Sequence, residues 1–193
     1  MSDDLLRAKW DERHSDPAKR PSVVQVLAEN LHLLPTSGRA LELACGLGGN
    51  ALALAAHGLE VSAWDLSPIA IERLQGFAGA NGLTNLKAEV RDVELSPPAP
   101  DSFDVILVSY YLERSLIPHL ITALRLGGLI YYQTFTRSAV SSEGPSNPQF
   151  RLDDNELLNL FGELKLRVYR EENRLGDLAL GTRDVAMLVA QRL

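Results

Sequence analysis

The stretch "ALELACGLGGNALALAAHGLEVSAWDLS", residues 40–67, constrains the fold of this 193-residue chain more than any other. A short apolar run carries Glu42, a glycine-rich turn follows, a small-residue helical stretch closes at Gly58, and a second apolar run ends at Asp65. Strand, tight turn, helix and strand in that order form a crossover unit, and such units pair their strands in parallel. The alternation continues. Ser67 caps a helix with Pro68 at its first position, the place where proline fits best. "LKAEVRD" (86–92) reads as a third strand and "FDVILVS" (103–109) as a fourth. "RSLIPHLITALR" reads as a helix with Pro118 in its first turn, and "GGLIYYQTF" (127–135) as a fifth strand. Two further β-like runs, "LKLRVYREEN" and "RDVAMLVAQRL", close the chain. The expected fold is Rossmann-like and doubly wound: a mostly parallel seven-stranded sheet with an antiparallel C-terminal hairpin strand.

Residues 3–13 read as an amphipathic helix with Leu5, Leu6 and Trp10 on one face, broken by Pro17 and Pro21. Ser22 is placed to cap a second helix, with Val23, Val26, Leu27, Leu31 and Leu34 at helical spacing. After Phe135 a polar loop of Gly, Pro and Ser character intervenes, and a loop of that length in a compact domain is usually functional or disordered. Asp153 and Glu156 then make a capping-box pattern that opens "DDNELLNLFGEL". The expected organisation is one domain over residues 1–193, with 1–35 as a helical cap and 136–152 as an acceptor-side loop.

Bulk properties exclude several classes. A net charge of −6 lacks the basic face a general nucleic-acid binder needs. The one cysteine, Cys45, cannot form an internal disulfide or a cysteine-rich zinc site, and no metal site is expected. No apolar run reaches the roughly 18 residues a membrane helix requires. The charged N-terminal stretch lacks the apolar core of a signal peptide, so a cytoplasmic location is expected; a monomer or homodimer is the expected assembly.

The turn at Gly46, Gly48 and Gly49 lets backbone approach a ligand, and the helix behind it offers free N–H groups. Asp65 at the end of the second strand suits a carboxylate accepting from both ribose hydroxyls. Gly46, Gly48 and Ala51 also satisfy the permissive dinucleotide fingerprint, which keeps an NAD(P)-binding oxidoreductase in view. Three features favour S-adenosylmethionine. Glu42 would repel a pyrophosphate but suits a cationic methionyl group. Asp92 can accept from an adenine amino group while Val93 donates its amide. The chain ends in a hairpin and not in a further mononucleotide-binding half.

These segments resemble class I S-adenosylmethionine-dependent methyltransferases along nearly the whole chain. "LELACGLGGNALALA" looks like that superfamily's first motif, "WDLS" its second, "RDVE" its adenine-binding segment and "FDVILVSYYL" its fourth strand. Ala44 departs from the pattern, since many members carry glycine there. "WDERH", "ALRLGGLIYYQTF" and "GPSNPQFRLDDNELLNLF" resemble the tellurite-resistance branch. The resemblance implies S-adenosylmethionine as cofactor, S-adenosylhomocysteine as product, and Trp10, Glu42, Ala44, Gly46, Gly48, Asn50, Asp65, Leu66, Asp92, Val93 and Ser109 as its contacts. Trp10, Asp11, Arg13 and His14 would form a lid. The candidate catalytic group is His14 as base, Tyr110 and Tyr111 lining the methyl pocket, and Arg114 and Arg183 binding an oxyanion. The acceptor is a small molecule: a tellurite or selenite oxyanion, or a thiol. A cofactor-binding module without catalysis is the other alternative.

Overall fold

The computed structural model describes residues 3–193; Met1 and Ser2, part of the expected cap, lie outside them. Seven strands form one sheet: β1 (Arg39–Leu43), β2 (Glu60–Asp65), β3 (Leu86–Val90), β4 (Phe103–Ser109), β5 (Leu124–Phe135), β6 (Lys165–Glu171) and β7 (Val185–Gln191). Their order is β3-β2-β1-β4-β5-β7-β6. The pairs among β1 to β5 are parallel, and β7 runs antiparallel to both β5 and β6. The order reverses between β1 and β4, so a crevice opens there above the C-terminal strand ends, the usual ligand position in open α/β sheets.

Both faces of the sheet are buried, which explains why the strands read as unbroken apolar runs. Successive residues alternate between two cores. Leu41, Leu43, Ile106, Val108 and Tyr132 face one. Ala40, Ala63, Val105, Leu107 and Tyr131 face the other. Helices cover both faces: α1 (Asp3–His14), α2 (Gln25–Ala28), α3 (Gly49–Ala56), α4 (Pro68–Ala80), α5 (Ile117–Ala123) and α6 (Glu156–Leu160). Among the described residues no helix is long and apolar enough to cross a membrane.

Three elements differ from expectation. The helix expected after Ser22 is one turn, α2, followed by a 3-10 turn at Leu31–Leu33. Its early amides are taken by core side chains instead: Val24 N–H donates to Asn50 Oδ1 and Val26 N–H to Gln133 Oε1, both at 2.8 Å. The helix expected through Arg125 ends at Ala123, and β5 starts at Leu124. The helix expected over 153–164 is confined to Glu156–Leu160. Half of its capping box forms, with Asp153 N–H donating to Glu156 Oε2 at 2.8 Å.

Candidate active site

The loop after β1 is wound left-handed three times, at Ala44 (φ +49°), Gly46 (φ +51°) and Gly48 (φ +72°). Glycine tolerates this backbone at no cost; alanine does not. Ala44 therefore keeps the turn under strain. The other glycines serve the protein's own packing. A Cβ on Gly48 would lie 2.3 Å from Leu74, and one on Gly49 would lie 2.0 Å from the Ser22 carbonyl. Asp65 ties the loop to β2. Its Oδ2 accepts from Gly46 N–H at 2.8 Å and its Oδ1 from Ser67 N–H at 2.9 Å.

Glu42 turns inward. It is 1 % exposed, its Oε1 accepts from Asn50 Nδ2 and its Oε2 from Ala51 N–H, each at 2.7 Å. Glu42 and Asn50, both expected among the cofactor contacts, form a layer beneath the loop that secures the start of α3. Asn50 Nδ2 also reaches Ser109 Oγ at 3.3 Å. Burial pushes the Glu42 carboxyl up to about 8, with hydrogen bonds from Asn50 and Ala51 opposing the rise. Cys45 is buried in the same loop, and burial raises its thiol well above its ordinary range, as suits a packing residue and not a nucleophile.

The N-terminal segment covers this loop. The His14 ring lies against Gly46, 3.1 Å from where a Cβ would stand. Trp10 stacks on His14, with centroids 6.1 Å apart. Ser67 Oγ donates to Asp11 Oδ1. Arg73 on α4 holds the segment by donating to the carbonyls of His14, Asp16 and Lys19. Burial lowers the pKa of His14, with Asp65 opposing. This position groups His14 with the cofactor loop. Further along, Asp92 Oδ1 accepts from the amides of Glu94 and Leu95, and the Val93 side chain is buried.

The other side of the crevice is built by β4, β5 and the loop beyond. Tyr110 is half exposed, sits at φ +55°, accepts from Gln133 Nε2 at 3.2 Å and packs against Phe135. Tyr111 is instead partly buried, its hydroxyl donating to Glu94. The loop from 137 to 151 is closed at its neck by a bridge between Thr136 and Leu152. Gly144 presses on Phe135, where a Cβ would stand 2.7 Å from the ring. Arg151 fastens the loop to the carbonyls of Thr136, Glu143 and Pro145. Phe135 and Arg151 were missed from sequence: one looked like a strand end, the other like a solvated arginine.

Two expectations are corrected here. Arg183 was expected to bind an oxyanion; it donates to the carbonyls of Glu172, Asn173, Leu175, Asp177 and Leu180 and staples the loop between β6 and β7. Arg114 was expected to share that role. It pairs with both oxygens of Glu156 at 2.6 and 3.0 Å and donates to the carbonyls of Gln149 and Arg151. A cavity of about 320 Å³ lies beside it, lined by Leu112, Glu113, Arg114, Gln149 and Phe150.

The crevice fits a cationic nucleoside ligand. Asp65, at the end of β2, gives it a carboxylate in hydrogen-bond reach of the loop. Residues 40–128 match the family model described as a methyltransferase domain. No curated protein sequence matches the chain. Among solved structures, TehB from Haemophilus influenzae aligns with a TM-score of 0.75 at 18 % identity, over 95 % of this chain and 67 % of that one. A SAM dependent methyltransferase from Aquifex aeolicus gives 0.70 at 12 % identity, over 97 % and 98 %. A structure described for conversion of a disulfide bond into a thioacetal group during echinomycin biosynthesis gives 0.70 at 21 % identity, over 100 % and 92 %. The mostly parallel sheet with its antiparallel C-terminal hairpin is the fold they share.

Proposed function

We propose that this chain, whose residues 40–128 match a methyltransferase-domain model, is a class I, S-adenosylmethionine-dependent enzyme that methylates a small-molecule acceptor. Bound cofactor would supply a methyl group already activated by its sulfonium, ready for in-line displacement. The chain's task is then to align the acceptor and exclude water. Asp65 would accept from the ribose hydroxyls with the lone pairs that Gly46 and Ser67 leave free. Asp92 would accept from the adenine amino group, with the amide of Val93 and the side chain of Leu66 alongside. Ala44, Gly46 and Gly48 would bring backbone to the methionyl portion, with Ser109 beside it. Trp10, Asp11 and His14 would close over the cofactor as a lid. The Asp65 carboxylate would give the crevice an acidic field that draws in a cationic cofactor.

Tyr110, Phe135 and the loop over 136–152 would enclose the acceptor. The resemblance to the tellurite-resistance branch brings tellurite, selenite and thiols forward as acceptors. The observation that carries the reading is Asp65, placed at the β2 terminus and fastened to the glycine loop. The test is transfer itself, using S-adenosylmethionine labelled in its methyl group. Labelled product from one member of a small-molecule panel, and none from the Asp65→Asn protein, is the expected result. No labelled product together with no cofactor binding would end the proposal.

A further inference from the structure

Resting on the methyltransferase reading, we infer that the acceptor is an uncharged organic nucleophile, a thiol or nitrogen base on an apolar body, and not an oxyanion. The basis is the charge balance where the acceptor has to meet the cofactor. An oxyanion site needs cationic N–H groups that are free to point at it. The arginines most firmly set at the C-terminal end of the sheet, Arg114, Arg151 and Arg183, are already engaged. Arg114 holds Glu156 and two carbonyls, and Arg151 holds three carbonyls. Arg183 holds five. Arg137 pairs with Asp153, Arg170 with Glu172, and Arg174 donates to the Ala139 carbonyl. Freeing Arg114, Arg151 or Arg183 would undo a loop. Lys9 and Arg13 lie over the Trp10 ring on α1.

What remains open is apolar or acidic. Tyr110 and Phe150 are each 51 % exposed at this end. The cavity is lined by Leu112, Gln149, Phe150, the Glu113 carboxylate, whose Oε1 already accepts from Ser115, and Arg114, whose charge is paired with Glu156. Its volume of about 320 Å³ suits a small organic molecule. Aromatic faces beside a carboxylate favour a neutral ligand or a developing cation and repel an anion. The reaction then needs no oxyanion hole. The acceptor's lone pair forms the bond to the methyl carbon, the carbon–sulfur bond breaks with its pair left on sulfur, and any proton on the acceptor leaves to water.

The test begins with the protein saturated in S-adenosylhomocysteine. Failure of that complex to form would overturn the methyltransferase reading and this inference with it. On the formed complex, saturation-transfer NMR with quinoline and hexane-1-thiol should show saturable contact with at least one of them. The contact should weaken at least tenfold in Phe150→Ala, a half-exposed position whose loss leaves the core intact. With S-adenosylmethionine, kcat/KM for the better organic probe should exceed that for sodium selenite and sodium tellurite at least tenfold. Faster turnover of selenite or tellurite would overturn the inference while leaving the methyltransferase reading standing. So would the absence of saturable contact by both organic probes.

Discussion

Replacing Asp65 with alanine tests structure and ligand binding at once. Asp65 is buried, and its two carboxylate oxygens accept from two backbone amides, Gly46 at 2.8 Å and Ser67 at 2.9 Å. Alanine removes both acceptors. Each stranded amide costs about 1–3 kcal/mol, so Asp65→Ala should lose about 2–6 kcal/mol of stability. For a domain of this size each kcal/mol moves Tm by about 2–4 °C, which places the expected drop near 10 °C. Asp65→Asn keeps one oxygen acceptor and should lose about half as much. Affinity for S-adenosylhomocysteine should fall about 100-fold in either variant, because the charged acceptor of the ribose hydroxyls is gone. Thermal and urea unfolding would be read beside a calorimetric titration, at unchanged m-value. An Asp65→Ala protein with unaltered Tm would refute the claim that this carboxylate holds the glycine loop. Unaltered affinity in Asp65→Asn would refute its ribose role.

Ala44→Gly relieves a left-handed alanine worth about 1–2 kcal/mol, against about 0.4–1 kcal/mol of added unfolded-state freedom, so stability should stay level or rise by up to ~1.5 kcal/mol; a lower urea midpoint would contradict the strained turn. Glu42 carries a folded-state pKa of about 8, above its ordinary value of 4.5, so the folded chain holds a proton that the unfolded chain releases. Its stability contribution is full below the ordinary value and is lost as pH rises through about 8, at a slope of up to ~1.4 kcal/mol per pH unit. Urea midpoints between pH 5 and 9 should therefore decline more steeply in the parent than in Glu42→Gln, and parallel profiles would refute the buried acid. Gly144→Ala places a Cβ 2.7 Å from the Phe135 ring at φ +89°, so the loop over 137–151 should lift and be cleaved several-fold faster in limited proteolysis; an unchanged cleavage rate would refute its seating on Phe135.

The parallel strands, their helices and the terminal hairpin were legible because each rests on local signals. Ser67 and Pro68 open α4 as the pattern predicts, with Ser67 Oγ accepting from Ala70 N–H. Asp65 was legible from its place at a strand end. What local pattern could not carry was long-range polar bonding. Val23 to Leu34 has helical spacing, yet Asn50 and Gln133, 26 and 107 residues from their partners, capture the amides and cut the helix to one turn. Arg183 at a strand start resembles an anion ligand until the five carbonyls curled around it are known. Glu42 looked like a ligand contact because its strand points at the crevice; that its side chain turns under the loop toward Asn50 depends on how α3 packs.

The central claim is that the loop from Ala44 to Gly49 and the Asp65 carboxylate form a cofactor site for S-adenosylmethionine. Calorimetric titration of the purified protein with S-adenosylhomocysteine, with NAD and NADP titrated in parallel, tests it most directly. Saturable binding of S-adenosylhomocysteine and no heat from either dinucleotide is the predicted result. Binding of a dinucleotide with no response to S-adenosylhomocysteine would contradict the account and make Asp65 the mark of a dehydrogenase-like site.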